Sequence, residues 1–204
     1  MTEDTLLSEK DFKNCADFHG HICPGLSIGY RAARAGLDWL KEHRALDEEL
    51  VAIVETNSCS TDAIQVLTGC TFGKGNLIFK DHGKHVFTLL GRQTGRGVRL
   101  SLKPGVISLN QRHRELFQKI KSNSASEKER EEFLELHRQK SAEILEKPLE
   151  EMFTINPAQT ALPAKAEIEP SNPCEECGEP TMRTKLVEKH GRSLCKDCRA
   201  KMLP

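Results

Sequence analysis

The chain carries no excess charge of either sign, with 30 Lys and Arg standing against 30 Asp and Glu. No global field therefore draws it to nucleic acid or to an anionic membrane, and its partners must be recognised locally. Long apolar runs are missing too. No stretch approaches the roughly 20 residues that a membrane span needs, and Met1 to Lys13 holds no basic segment followed by an apolar core. These absences predict a soluble cytoplasmic protein with no membrane partner. No segment repeats at solenoid spacing. Cysteine is absent between Cys70 and Cys174, so the eight cysteines form two groups: Cys15, Cys23, Cys59 and Cys70, then Cys174, Cys177, Cys195 and Cys198. The 204 residues suffice for one ordinary domain plus a small module. In a reducing compartment, paired Cys-x-x-Cys spacings point to metal rather than to disulfides.

Against this background the run Phe18-His19-Gly20-His21-Ile22-Cys23-Pro24-Gly25 stands out. His19, His21 and Cys23 occupy alternate positions, and an extended backbone would project all three from one face. Pro24 suits the first position of a helix and leaves Cys23 where an N-cap belongs. A cysteine there, beside two imidazoles, is expected to have a depressed pKa and to be largely thiolate near neutral pH. Taken singly, the histidines read as loop residues and Cys23 as a small buried hydrophobe. Taken together, three soft or borderline ligands beside a helix start point to a metal or reactive-thiol site.

Periodicity places the surrounding elements. Ser8 to Asp17 reads as a short helix capped by Ser8, with Phe12, Cys15 and Ala16 on its inner side, so Cys15 is core. Pro24 to about His43 is an amphipathic helix with Leu26, Tyr30, Ala33, Leu37 and Leu40 on one stripe. Val51 to Val54 suits a buried strand and empties into the turn and cap residues Glu55 to Asp62. A helix follows, with Asp62 and Gln65 as a capping box, Ala63, Val66, Leu67 and Cys70 as its apolar stripe, and Gly69 near its end. Cys70 is then core, whereas Cys59 sits at a strand-to-helix corner where open sheets place ligands. Leu77 to Phe79, a turn at Asp81 to Lys84 and Val86 to Leu90 read as a hairpin, with Val98 to Leu102 as a third strand. Leu109 to Lys121 and Glu127 to Glu146 read as helices, the second opened by a Ser126 and Glu129 capping box and stopped before Pro148. Acidic and basic residues alternate along that second helix, which argues against nucleic acid and leaves room for a homodimer arm.

Pro157, Pro163, Pro170 and Pro173 mark an extended linker, giving three parts: a core at 1–153, a linker at 154–173 and a module at 174–204. In the module, Cys174 and Cys177 are separated by 17 residues from Cys195 and Cys198. Four thiolates close a tetrahedral shell around a structural zinc, and a segment so poor in large apolar residues needs that staple to fold. Gly178 permits a knuckle turn, a hairpin from Met182 to Leu194 breaks near His190 and Gly191, and a helix starts around Arg199 to Met202. That order is treble-clef-like. A redox Cys-x-x-Cys is the competing reading, weakened by there being two pairs. Seven Lys or Arg against five Asp or Glu leave +2 on the module, which four thiolates and one zinc bring to about zero. Protein docking or structural support then suits it better than phosphate binding.

Phe18 to Arg31, together with Asn57 to Gln65, Thr68 to Asn76 and the Asp81 to Lys84 turn, resembles the FmdE family, named after a component of formylmethanofuran dehydrogenase. The resemblance covers about the first 150 residues, and a C-terminal zinc finger also occurs in that family. It implies an α+β fold, a mixed β-sheet flanked by helices with a somewhat thioredoxin-like core. It also implies a metal-bearing site built from the His-x-His-x-Cys segment and the later Cys59. The implied context is anaerobic one-carbon metabolism and methanogenesis, where some members accompany a molybdenum or tungsten oxidoreductase. The chain shows no cluster-binding cysteine run or pterin signature, so it would be an accessory part of such a complex.

The expected site is therefore a zinc, or another transition metal, held by His19, His21, Cys23 and Cys59. Three ligands would leave room for a small one-carbon or carbonyl substrate, and four would make the metal structural. Cys23 and Cys59 are also the candidate catalytic thiols. Asp62 would orient an imidazole, its other reading being a helix cap. Lys74 would meet an anionic substrate group or sit in a surface turn. Arg31 would do the same or form a surface ion pair. Competing functions are metal trafficking or sensing, thiol redox chemistry through Cys23 and Cys59, and docking of the finger onto a larger complex.

Overall fold

A computed structural model describes residues 9–166 and 168–201. Ser8, expected as a helix cap, and Met202, expected in the last helix, lie outside the described residues. The chain divides into two compact units, at 1–165 and 166–204.

The first unit is built on a five-stranded mixed sheet in the order β2-β1-β3-β4-β5. Its second strand in that order, β1 (Leu50–Val54), is buried at every position, as a strand paired on both edges and covered on its faces must be. β2 (Leu77–Phe79) pairs with it in parallel, while β3 (Val86–Gly91), β4 (Gly97–Leu102) and β5 (Phe153–Pro157) continue antiparallel. The hairpin expected between β2 and β3 is therefore corrected: β1 lies between them. Its turn residues are real, but the buried Asn76 decides the pairing. Its side-chain N–H groups donate to the Asp47 and Leu50 carbonyls and its Oδ1 accepts from Thr71 N–H, which fixes the start of β2 beside the start of β1. A parallel pair needs a crossover, and α3 (Ser60–Thr68) supplies it.

The helices form the main core with one face of the sheet. α2 (Pro24–Leu40) opens on Cys23, whose sulfur accepts the Leu26 N–H at 3.4 Å, with Pro24 in the first turn. Both features follow the sequence expectation. The helix stops earlier than expected because Lys41 turns left-handed and bonds back to Leu37 and Asp38. α1 (Lys10–His19) buries Phe12 and Cys15, and the Phe12 ring meets Tyr30 edge-on at 5.3 Å. α3 begins two residues before the expected cap, so Asp62 lies inside its first turn, and Gly69 ends it. α4 (Gln111–Lys121) and α5 (Glu127–Glu146) form an antiparallel pair, and the expected Ser126 and Glu129 capping box is present. Arg31 is neither a substrate contact nor a surface ion pair: it donates to the carbonyls of Ile144, Leu145 and Lys147, capping the C-terminal end of α5.

Two helices touch through backbone. A methyl at Gly29 of α2 would overlap the Ser60 carbonyl at the start of α3, and one at Gly25 would lie 3.1 Å from Cys59 Cβ. Glycines one turn apart thus let the two helices approach closely and carry Cys59 up to Cys23.

The segment expected as a linker is corrected at both ends. Thr154 to Pro157 belong to β5, after which Arg92 ties the chain back through the Pro163 and Ala164 carbonyls. At the other end β6 (Ser171–Pro173) pairs with β7 (Pro180–Met182). Proline is tolerated at an edge strand, which is why its presence misled. The second unit adds the hairpin of β8 (Val187–Lys189) and β9 (Arg192–Leu194), turning at His190 and Gly191 with both φ angles positive, and then α6 (Lys196–Lys201). The expected hairpin start at Met182 shifts to Val187, because Met182 pairs with Ser171. Among the described residues no helix is long and apolar enough to cross a membrane.

Gly29→Ala forces α2 from α3 and is expected to cost about 2–3 kcal/mol, in the upper range for overpacking. Gly73→Ala, with nothing near its new methyl, is expected to change stability by less than about 0.5 kcal/mol. Urea denaturation midpoints of the two variants check this.

Candidate metal centre

α1 ends on His19, and Gly20, at φ 91°, closes it by donating its N–H to the Ala16 carbonyl. The left-handed glycine reverses the chain, so His19 is a helix end and Cys23 a helix cap. The expected extended strand is thus corrected: a helix, a turn and a second helix assemble the three groups. The result is still a cluster, because one donor atom from each of His19, His21 and Cys23 lies within 4.8 Å of the others. The two imidazoles sit 4.4 Å apart, centroid to centroid. Cys23 is buried and His21 exposed.

His19 is oriented from behind. Its Nδ1–H donates to Asp62 Oδ2 at 2.7 Å, which leaves Nε2 as the acceptor facing Cys23 Sγ at 3.7 Å. Asp62 is held in turn by Gln65, whose amide donates to Oδ1 at 3.3 Å. Asp62 therefore positions an imidazole, and its cap reading is corrected because the helix has begun before it. Such a carboxylate and histidine pair is the usual support behind a metal-ligating imidazole.

Cys59 lies beside this group, at the start of α3, and is not one of its mutually close donors. The neighbouring Cys23, and with it the nearby His19, holds the Cys59 thiol down at about 5. Cys23 shifts the opposite way, raised by the neighbouring Cys59 and by burial, which outweigh the helix N–H groups it accepts. The expectation that Cys23 is the thiolate is thus corrected: two sulfurs in contact do not both ionise readily, and the less buried one takes the charge. Cys59 also borders a cavity of about 360 Å³ whose walls include His19, Asp62, Val54, Leu77 and Phe79, and no Lys or Arg. Lys74 is not on that wall; its ammonium donates to the Leu46 carbonyl at 3.3 Å. Cys15 and Cys70 are fully buried, as expected, and burial raises both thiols.

Two histidines escaped the sequence reading. His137 of α5 is pushed down to about 4 by burial and by the charges of His113 and His21, and its Nδ1 lies 2.6 Å from His113 Nε2. His85, just before β3, is lowered by burial while the Cys59 charge opposes that shift, and its Nδ1 has no partner. Neither carries a local motif; only the fold brings His85 near Cys59 and His137 near His21.

In the second unit Cys174, Cys177, Cys195 and Cys198 bring their sulfurs within 4.8 Å of one another. Backbone N–H groups aim at them, Cys195 N–H to Cys174 Sγ at 3.3 Å and Cys198 N–H to Cys195 Sγ at 3.5 Å. N–H groups from Cys177, Cys195 and Glu176 lower the Cys174 thiol to about 6.

Residues 18–154 match the family model described as FmdE, molybdenum formylmethanofuran dehydrogenase operon. The chain belongs to the FmdE family. Residues 168–202 match the prokaryotic dksA/traR C4-type zinc finger, so the four clustered cysteines form a zinc-binding module. A probable S-adenosyl-L-methionine-binding protein of Archaeoglobus fulgidus is 33% identical over 189 residues, 89% of this chain and 50% of that protein. The chain thus spans half the length of that relative. The fold is also that of a tungsten formylmethanofuran dehydrogenase FmdE-like protein from Syntrophus aciditrophicus, whose crystal structure superposes with a TM-score of 0.59 at 24% identity, covering 100% of this chain and 95% of that one.

With the finger loaded with zinc, Cys59 is expected to be the first thiol alkylated by iodoacetamide. Its rate should hold from neutral pH downward and fall with a midpoint near 5. Cys23→Ala removes the neighbour that lowers Cys59 most and moves that midpoint upward, toward an ordinary thiol. Peptide mass mapping across a pH series reads both.

Proposed function

We propose that this FmdE-family chain holds a second metal, zinc or another transition metal, on His19, His21 and Cys23, and acts there on a small one-carbon or carbonyl compound. The observation that carries this reading is the His19 ring, fixed by Asp62 so that its free Nε2 faces Cys23. The donor set fits: two imidazoles and a thiol suit zinc, and three protein ligands leave a coordination position open. A metal bound there supplies Lewis acidity toward a carbonyl oxygen.

The chain's own residues supply the rest. Asp62 keeps His19 in the ligating tautomer. Cys59 lies outside the mutually close donor set and on the cavity wall, so its thiolate is the group that meets a substrate, as nucleophile or proton acceptor. The loop beneath is stiffened by its own hydrogen bonds, Ser58 N–H to Thr56 Oγ1 and Thr61 Oγ1–H to the Thr56 carbonyl. With no cation on the wall and Asp62 near, the cavity suits a neutral carbonyl better than a carboxylate or phosphate. The finger, near zero net charge once loaded, serves as a docking or supporting element, with a larger oxidoreductase of one-carbon metabolism as its partner.

Metal counting after dialysis tests the site. The whole chain is expected to hold two zinc ions, Cys23→Ala one, and Cys59→Ala two. Asp62→Asn should weaken the N-terminal ion about 10–100-fold while leaving the finger's ion untouched. A single zinc in the unmodified chain overturns the reading.

A further inference from the structure

The two sulfurs at the start of α2 have an asymmetry that metal binding does not use. Cys23 is 5% exposed, under the helix start, whereas Cys59 is half-buried and borders the cavity. Both sulfurs lie within 4 Å of the point a Gly25 methyl would occupy, at 3.9 and 3.8 Å, so the start of α2 brings them into one neighbourhood. Neither is in a disulfide. The remaining cysteines do not compete: Cys15 and Cys70 are sealed in the core, and the other four belong to the finger.

We infer that Cys59 and Cys23 are a thiol–disulfide exchange pair, with Cys59 the attacking sulfur and Cys23 the resolving one, acting on a low-molecular-weight disulfide admitted by the cavity. Cys59 Sγ, as thiolate, attacks one sulfur of the incoming disulfide; a new S–S bond forms, the old one breaks, and the first substrate sulfur leaves as a thiolate that takes its proton from water. Cys23 then gives its thiol proton to His19 Nε2, 3.7 Å away, and attacks Cys59 Sγ. The mixed bond breaks, and the second substrate thiol leaves with the proton that His19 relays. The Cys59 thiolate and the Cys23 thiol together lose two electrons and one proton, and the disulfide gains these and a second proton from water. Gly25 matters here because a methyl at that point would stand 3.1 Å from Cys59 Cβ and crowd Cys59 away from the start of α2. This pairing stands whether or not a metal binds the N-terminal site. Where one does, closing the disulfide removes Cys23 from it, and metal is held only by the reduced protein.

The test treats the full-length protein, its zinc content brought to the one ion per chain held by the finger, with oxidised glutathione and maps peptides by mass spectrometry. Expected in the unmodified chain is a linked pair of peptides carrying Cys23 and Cys59, with the loss of two hydrogens from the intact mass. Cys23→Ser should instead accumulate a glutathione adduct at Cys59, and Cys59→Ser should leave Cys23 unmodified. A stable adduct at Cys59 in the unmodified chain without the internal link overturns the proposal, as does an adduct at Cys23 in Cys59→Ser. The unmodified chain decides the matter alone should either variant fail to fold, which far-ultraviolet circular dichroism reports.

Discussion

Everything at the N-terminal site depends on how closely α2 and α3 approach, because the functional groups come from both. The contact is backbone against backbone at Gly29 and Ser60, and it exists only because that position of α2 has no side chain. One turn earlier, Gly25 leaves the space that Cys59 enters. From these contacts follow the closeness of the two thiols, the reach of Asp62 to His19, and the cavity over the end of β1. Helix packing here sets chemistry as well as stability, since interiors transmit small displacements rather than absorbing them.

Much of the fold was legible because local signals agreed with one another. Proline after Cys23, the Ser126 and Glu129 box and the β-branched run of β1 each announce one element and nothing else. The finger was legible for a different reason, since four soft ligands at fixed spacing admit few geometries. What misled was long-range. Nothing within Leu77 to Leu90 says that another strand will insert between its two halves; the side chain of Asn76, bonding to residues nearly thirty positions earlier, settles that. The prolines near β5 looked like a linker because proline weakens a strand everywhere except at an edge.

That His19, His21 and Cys23 come together was legible, and the geometry that joins them was not. Alternation along His19, His21 and Cys23 pointed to a cluster through a strand that does not exist; a helix end and a glycine turn bring the three together instead. The ionisation of the thiols was read the wrong way round, because Cys23 alone at a helix start would be the thiolate, and its neighbour comes from a residue 36 positions later. Asp62 was legible as polar and near, but whether it caps or orients turned on where α3 begins, a matter of two residues. Lys74 carries the right charge for an anion site and faces elsewhere, which its sequence could not disclose.

The Arg31 contact bears on how this architecture can vary between relatives. α5 is fastened at its C-terminal end, where three carbonyls accept the guanidinium and Ser141, Ala142, Ile144 and Leu145 are buried, while the opposite end and the turn into it from α4 face solvent. Lengthening that helical hairpin at its tip adds little closure entropy and disturbs no buried contact. The hairpin is thus a region where descendants of one ancestor can diverge in length and surface while the thiols, the imidazoles and the aspartate stay in register, so new recognition can evolve there without rebuilding the chemistry.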